Sequence, residues 1–225
     1  MKMERIRFIA TFKNLKKFKA LLNTLKELLL DLTIVIDIEK MSIIGISEDK
    51  KVMVDVFFPK DVFSKYECHT EKIMVCIDSK KFYKSIQKIA NKSVMSLFID
   101  ETDYNEGIVS YIGLVYNNKN ITKIKLQEIE TEMIMKNSIY EVEVIMKSLK
   151  FHNCVFSITE SDETKIFIDD KEICFKTIGE FSKNVIIEEI EHLSSTCKGV
   201  IRSTFNSSNL KIVIKATQID RKSVV

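Results

Sequence analysis

Between Leu15 and Leu29 the apolar residues Leu15, Phe18, Leu22, Leu25 and Leu29 recur at helical spacing, which predicts a helix with one buried face. Lys16, Lys19, Asn23 and Lys26 recur at the same spacing on another face, and Glu27 is the only acidic residue of the run. The preceding "RIRFIATF" alternates as a strand, and "LTIVIDI", "MSIIGIS" and "VMVDVFF" follow as short β-branched runs between charged turns. The same order restarts at "KIMVCI". Asp78 caps the helix "DSKKFYKSIQKIA", and "VMSLFID", "IVSYIGLVY" and "ITKIKLQ" come after it. A third pass runs "IYEVEVI", helix "SLKFHNCVFSIT", "KIFID", "EICFKTI" and "NVIIEEI". A fourth runs "GVIRSTF" and helix "SSNLKIVIKATQ", and stops as "SVV" should open a strand.

Self-similarity with a period of about sixty residues predicts an α+β protein of four βαβββ units, paired into two similar domains. The domains are expected at 1–127 and 138–225, with residues 128–137, "EIETEMIMKN", as an extended connector because neither periodicity holds there. The last strands of the fourth unit are missing from the sequence, so the expectation is of a chain truncated at its C-terminus.

The repeat gives the lysines their meaning. The second helix carries Phe82, Ile86 and Ile89 inside and Lys81, Lys84 and Lys88 outside; the fourth carries Leu210, Val213 and Ile214 inside and Ser208, Lys211 and Lys215 outside. The third is weaker, with Lys147 and Lys150 ahead of His152 and Asn153. One basic helix is a solvated face, whereas basic helices in equivalent positions of a repeat form a surface. Lysines without interleaved aromatics suit phosphate contacts rather than base stacking, and such contacts position a protein without reading sequence.

Composition narrows the rest. The net charge of +3 is too small to name a partner, so the argument rests on where the lysines sit. The start "MKMERIRFIA" lacks the apolar core of a signal peptide, and no run is long and apolar enough to span a membrane. Five cysteines without a CxxC pair read as reduced thiols. Cys68, His69 and Cys76 lack a fourth metal ligand at suitable spacing. The acidic clusters at 161–163 and at Asp169 and Asp170 fall at turns, and no phosphate loop, GxSxG or HExxH is present. His152 reads as a phosphate neighbour or a solvated residue, and Met133 and Met135 as core or as a peptide-binding surface. No catalytic residue, metal or cofactor is expected.

Taken in order, "LKELLLDLTIVIDIEKMSIIGIS", "VFSKYEC", "KLQEIE", "FKTIGE" and "LKIVIKATQI" resemble successive segments of the proliferating cell nuclear antigen family, the DNA sliding clamps, with almost no gaps. The resemblance implies the DNA-clamp (processivity) fold and a head-to-tail homotrimer around double-stranded DNA, with the helices lining the hole. It implies action in replication and repair, in the nucleus or at a viral replication site. The implied partners are a clamp loader, DNA polymerase and other clients that bind through short peptide motifs. By position, Lys16, Lys19, Lys26, Lys81, Lys84, Lys88, Lys150, Lys211 and Lys215 would face DNA. Ile46 and Met53 would floor the peptide pocket and Met133, Ile134 and Met135 would roof it. The subunit contact would pair "NITKIKLQ" with "NVIIEEI", bringing Lys123 and Lys125 near Glu188 and Glu189. Phe156 and Glu160 stand where the family tends to carry basic residues, and "EMIMKN" replaces its usual connector. Two alternatives share the fold: a checkpoint-clamp subunit of a heterotrimer, and a clamp-like viral factor without a ring.

Overall fold

Strand β1 (Ile6–Phe12) leads into α1 (Leu15–Leu28), whose start is fixed by Asn14: its side-chain oxygen accepts the backbone N–H of Lys17 at 3.1 Å. The computed structural model describes residues 6–117, 120–128, 142–158, 162–169, 172–177, 183–187, 192–195, 200–218 and 222–224. The chain divides into two compact units, Met1–Met133 and Ile134–Val225.

In the first unit α1 is followed by β2 (Asp31–Asp37), β3 (Lys40–Ile46), β4 (Met53–Pro59), β5 (Phe63–Cys68) and β6 (Lys72–Asp78). Helix α2 (Ser79–Gln87) comes next, then β7 (Met95–Asp100), β8 (Tyr104–Asn105), β9 (Ile108–Val109), β10 (Tyr111–Tyr116) and β11 (Asn120–Lys125). Two main sheets result, in the orders β11-β10-β7-β1-β5 and β4-β3-β2-β6. Helix α1 ties them together through Phe18, whose ring stacks on Phe12 of β1 at 4.1 Å and meets Phe58 of β4 and Phe82 of α2 edge-on. Leu15, Leu22, Leu25 and Leu29 are buried with it, so the apolar stripe read from the sequence is the core face. Asp78 caps α2 as expected, accepting from Lys81 N at 2.7 Å.

The second unit contains β12 (Val142–Lys147), α3 (Ser148–Ser157), β13 (Glu163–Ile168), β14 (Ile173–Thr177), β15 (Asn184–Ile187), β16 (His192–Ser195), β17 (Ile201–Asn206), α4 (Ser207–Val213) and β18 (Lys222–Val224). Its sheets run β16-β12-β18 and β15-β14-β13-β17. The repeat is visible in these orders. β1 lies between β5 and β7 as β12 lies between β16 and β18, and β2 lies between β3 and β6 as β13 lies between β14 and β17. Its core gathers Phe151, Cys154, Val155, Ile166, Phe175 and Ile214.

The structure adds strands that the pattern of apolar residues did not reveal. β5 pairs with β1 from Phe8↔Cys68 to Phe12↔Phe63, and β16 pairs with β12 from Val142↔Ser195. Both repeats that are described through this point therefore carry four strands after the helix, one more than expected. "FSKYEC" is largely exposed and "HLSS" holds one apolar residue, so backbone pairing rather than apolar burial defines these strands. The β8–β9 hairpin turns on Glu106 and Gly107, at φ +48° and +90°; two consecutive left-handed positions make the tight hairpin turn in which glycine is at ease. The fourth helix also differs from expectation. Its α-helical part ends at Val213 and tightens into a 3₁₀ segment, Ile214–Gln218. The change of winding buries Ile214 (4% exposed) and leaves Val213, expected inside, 36% exposed.

Candidate nucleic-acid interface

The four helices align on their buried first residues: Leu15, Ser79, Ser148 and Ser207 occupy equivalent positions at the end of an incoming strand. In the first unit α1 and α2 pack side by side, and the expected lysines separate into two groups. Lys16, Lys81, Lys84 and Lys88 are exposed. Lys19 and Lys26 are half-buried and hold the helix pair together. The Lys19 ammonium donates to the carbonyl of Ile89 at 2.7 Å and to Asn91 Oδ1 at 3.1 Å, and Lys26 Nζ lies 4.0 Å from the ring centre of Tyr83. Lys17 and Lys80 are exposed beside them, although the sequence reading passed them over. The signal was available, since Lys80 is the repeat equivalent of Lys16 and Lys17 that of Lys81.

In the second unit Lys215 is exposed, Lys150 and Lys211 are half-buried, and His152 is drawn inward. Its Nδ1 lies 3.2 Å from Thr217 Oγ1 and 3.4 Å from the Ile214 carbonyl, so the ring bridges α3 and the 3₁₀ segment rather than standing free in solvent. Between the lysines α3 exposes Leu149 and Phe156. Phe156 is the aromatic residue that the sequence places where the resembling family tends to carry a basic one.

The residues assigned to a peptide pocket are only partly described. Ile46 and Met53 are cross-strand partners at the end of the β3–β4 ladder, 43% and 48% exposed. Met133, Ile134 and Met135 lie outside the described residues, as does most of the expected connector. Only Glu128 of it is described; just before it, beyond β11, Gln127 crosses to β6, its N–H donating to the carbonyl of Cys76 at 2.9 Å. A cavity of about 570 Å³ opens beside this crossing, lined by Met74, Ile108, Val109, Tyr111, Leu126 and Gln127. Neither Ile46 nor Met53 lines it. Met74 pairs with Val35, which pairs with Ser42, two residues along β3 from Ile44 and four from Ile46. The cavity and the Ile46–Met53 pair thus occupy different ends of one sheet face.

For the subunit edges, β11 and β15 are each the outermost strand of their sheet. Lys125 is exposed on β11, but Lys123 is engaged within its own chain by Asp103 at 2.5 Å. Glu188 and Glu189 lie outside the described residues.

Two of the described cysteines are held in the neutral form. Cys68 Sγ donates to the Thr70 carbonyl at 3.1 Å, and burial raises its pKa. Cys154 sits in the core of the second unit, where burial pushes its thiol up to about 12. Both are held as neutral thiols, the unreactive form. Among the described residues no group of three or more His, Cys, Asp or Glu converges on a metal position.

No family model matches the chain. It is 26% identical over 205 residues to the DNA polymerase sliding clamp of Nitrosopumilus maritimus, covering 88% of this chain and 79% of that protein. It is 22% identical over 214 residues to that of Thermococcus onnurineus, covering 86% and 84%. Among solved structures, PCNA of Thermococcus kodakaraensis superposes with a TM-score of 0.81 at 16% identity, over 96% of this chain and 88% of that one. The proliferating cellular nuclear antigen of Entamoeba histolytica gives 0.80 at 16% identity, over 97% and 88%. In sequence the chain resembles the DNA polymerase sliding clamps, and its α+β fold is that of proliferating cell nuclear antigen over nearly its whole length.

Proposed function

We propose that the chain is a DNA sliding clamp, a ring-forming processivity factor that encircles duplex DNA and tethers DNA polymerase and other replication or repair proteins. The observation that carries this is the joining of the clamp fold with exposed lysines on equivalent helices or directly after them: Lys16, Lys17, Lys80, Lys81, Lys84 and Lys88 in the first unit and Lys215 in the second. Exposed lysines of this kind neutralise phosphates without reading bases. The role is non-catalytic: the protein holds and releases, and its partners carry the chemistry. In this reading residues 128–137 connect two domains, 1–127 and 138–225. Clients dock short peptides on the sheet face that bears Ile46 and Met53, the described part of the pocket that Met133, Ile134 and Met135 would roof. A clamp loader opens the ring, and the site of action is the nucleus, or the replication site if the source is viral. The ring of this reading is a homotrimer; because Lys123 pairs with Asp103 inside its own chain, the contact between copies rests on main-chain pairing and apolar residues more than on the charges of the two edges.

Replacing Lys16, Lys81, Lys84 and Lys88 by alanine tests the assignment. Duplex affinity is expected to fall, and the slope of log affinity against log salt to flatten by about one for each phosphate no longer neutralised. Circular dichroism should show an unchanged fold, since all four side chains are exposed. A strong preference for one duplex sequence over another, or an unchanged salt slope in the quadruple variant, overturns the reading.

A further inference from the structure

The second unit departs from the first on the very helix face that carries lysine elsewhere. With the four helices aligned on their buried first residues, the second position reads Lys16, Lys80, Leu149 and Ser208, and the ninth reads Asn23, Gln87, Phe156 and Lys215. Helix α3 alone is apolar at both positions. Leu149 is 68% exposed and Phe156 67%, which is large for side chains whose burial would be favourable. The Phe156 ring is backed by His152 one turn earlier, with the two ring planes only 7° apart and their centres 6.1 Å from each other. His152 is itself fixed by its contacts to Ile214 and Thr217. The result is a flat aromatic surface held by packed helices.

Lysines stand beside it, while the neighbouring carboxylates, Asp162 and Glu163, lie at the start of α4, next to Ser207 and Asn206. Lys150 lies on the same helix, Lys211 and Lys215 lie on the helix and 3₁₀ segment packed against it, and neither 148–158 nor 207–218 contains an Asp or Glu. An aromatic platform framed by lysines complements a polyanion that offers a flat apolar face, which describes a nucleic-acid strand with an unpaired base. A second copy of this face would bring the same positive charge to the contact and be repelled. Along a fully paired duplex the base faces are stacked on one another, and only the terminal pairs expose one.

We propose that Phe156, backed by His152, stacks an unpaired DNA base while Lys211 and Lys215 contact the flanking phosphates. The inference rests on the reading that the helices face DNA, and adds that this one face distinguishes a single strand or a strand junction from continuous duplex.

The chain contains no tryptophan, so Phe156→Trp places a unique fluorophore on the platform. The test uses the full chain at low ionic strength with fluorescein-labelled oligothymidylate, an abasic strand of equal length, and a blunt duplex. The thymidine strand is expected to bind about tenfold more tightly than the abasic strand, in line with stacking of one or more bases. Phe156→Ala should remove that difference and leave abasic affinity unchanged. In the Phe156→Trp variant, indole emission should be quenched by an unlabelled thymidine strand and not by the abasic one. Equal affinity of the wild type for both strands, a Phe156→Ala variant that keeps the difference, or a change in assembly size caused by Phe156→Ala overturns the proposal. Salt-dependent duplex binding without any stacking difference defeats this inference and leaves the clamp reading intact. Failure to bind any of the three nucleic acids defeats both.

Discussion

Lys19 and Lys84 both lie off the apolar stripe of their helices in the sequence, and the structure gives them different work. Lys84 is exposed, whereas Lys19 commits its donors to the Ile89 carbonyl and to Asn91. Helical phase shows that Lys19 is off the apolar stripe. It does not show what lies alongside, because that partner is 70 residues away in the chain. A charged donor on a half-buried carbonyl contributes more than a surface ion pair, though solvent access at this site moderates it. Lys19→Ala should therefore destabilise the protein by about 1 kcal/mol while leaving the salt slope of DNA binding in place. Lys84→Ala should do the reverse. Chemical denaturation and fluorescence anisotropy on the two variants separate the roles; normal stability with weakened binding in Lys19→Ala would return that residue to the DNA-facing set.

At the level of elements, the sheets are held as much by close approach as by apolar burial. Gly113 of β10 is the registered partner of Phe98 of β7, and a Cβ built on it would lie 2.2 Å from the Phe98 ring. The ring is 2% exposed and has no room to swing away. Gly113→Ala gains about half a kcal/mol from the unfolded chain, but overpacking costs about 1–3 kcal/mol, so the net effect should be destabilising. Hydrogen exchange should show faster opening of the amides of β7 and β10; an unchanged or more stable variant would mean that the sheet yields more easily than its packing indicates. The same dependence on partners explains what the sequence revealed of the fold. Helices α1, α2 and α3 and the apolar strands were legible because each announces itself by its own periodicity. β5, β16 and the β8–β9 hairpin were not, since they are defined by the strand beside them or by a two-residue turn. The repeat could have supplied two of them, because β5 and β16 stand in equivalent places. Of the candidate site, the basic faces were legible from periodicity, while the aromatic face of α3 needed its exposure to be known before it could be distinguished from core.

For the molecule as a whole the decisive features are two sheet edges. Among the described residues no strand pairs with the outer side of β11 or of β15, and an exposed edge invites a partner strand. The two edges differ in sequence, so pairing one with the other joins copies head to tail, and such a contact closes into a ring when the rotation allows. Charge was the expected attraction, but Lys123 is occupied by Asp103. What remains is main-chain pairing together with apolar residues left exposed at both edges, Ile121 on β11 and Ile186 on β15. The full-length protein is therefore expected to sediment at three times the mass of its chain, with an assembly that tolerates moderate salt. Ile186→Lys places a strongly hydrated charge in the proposed contact and should release folded monomers, whereas Lys123→Ala should leave the assembly intact. Dissociation by Lys123→Ala with Ile186→Lys unaffected would restore charge as the cause. A wild-type monomer at micromolar concentration, or assembly only with a different chain, would replace the homotrimer with one of the two alternatives that share this fold.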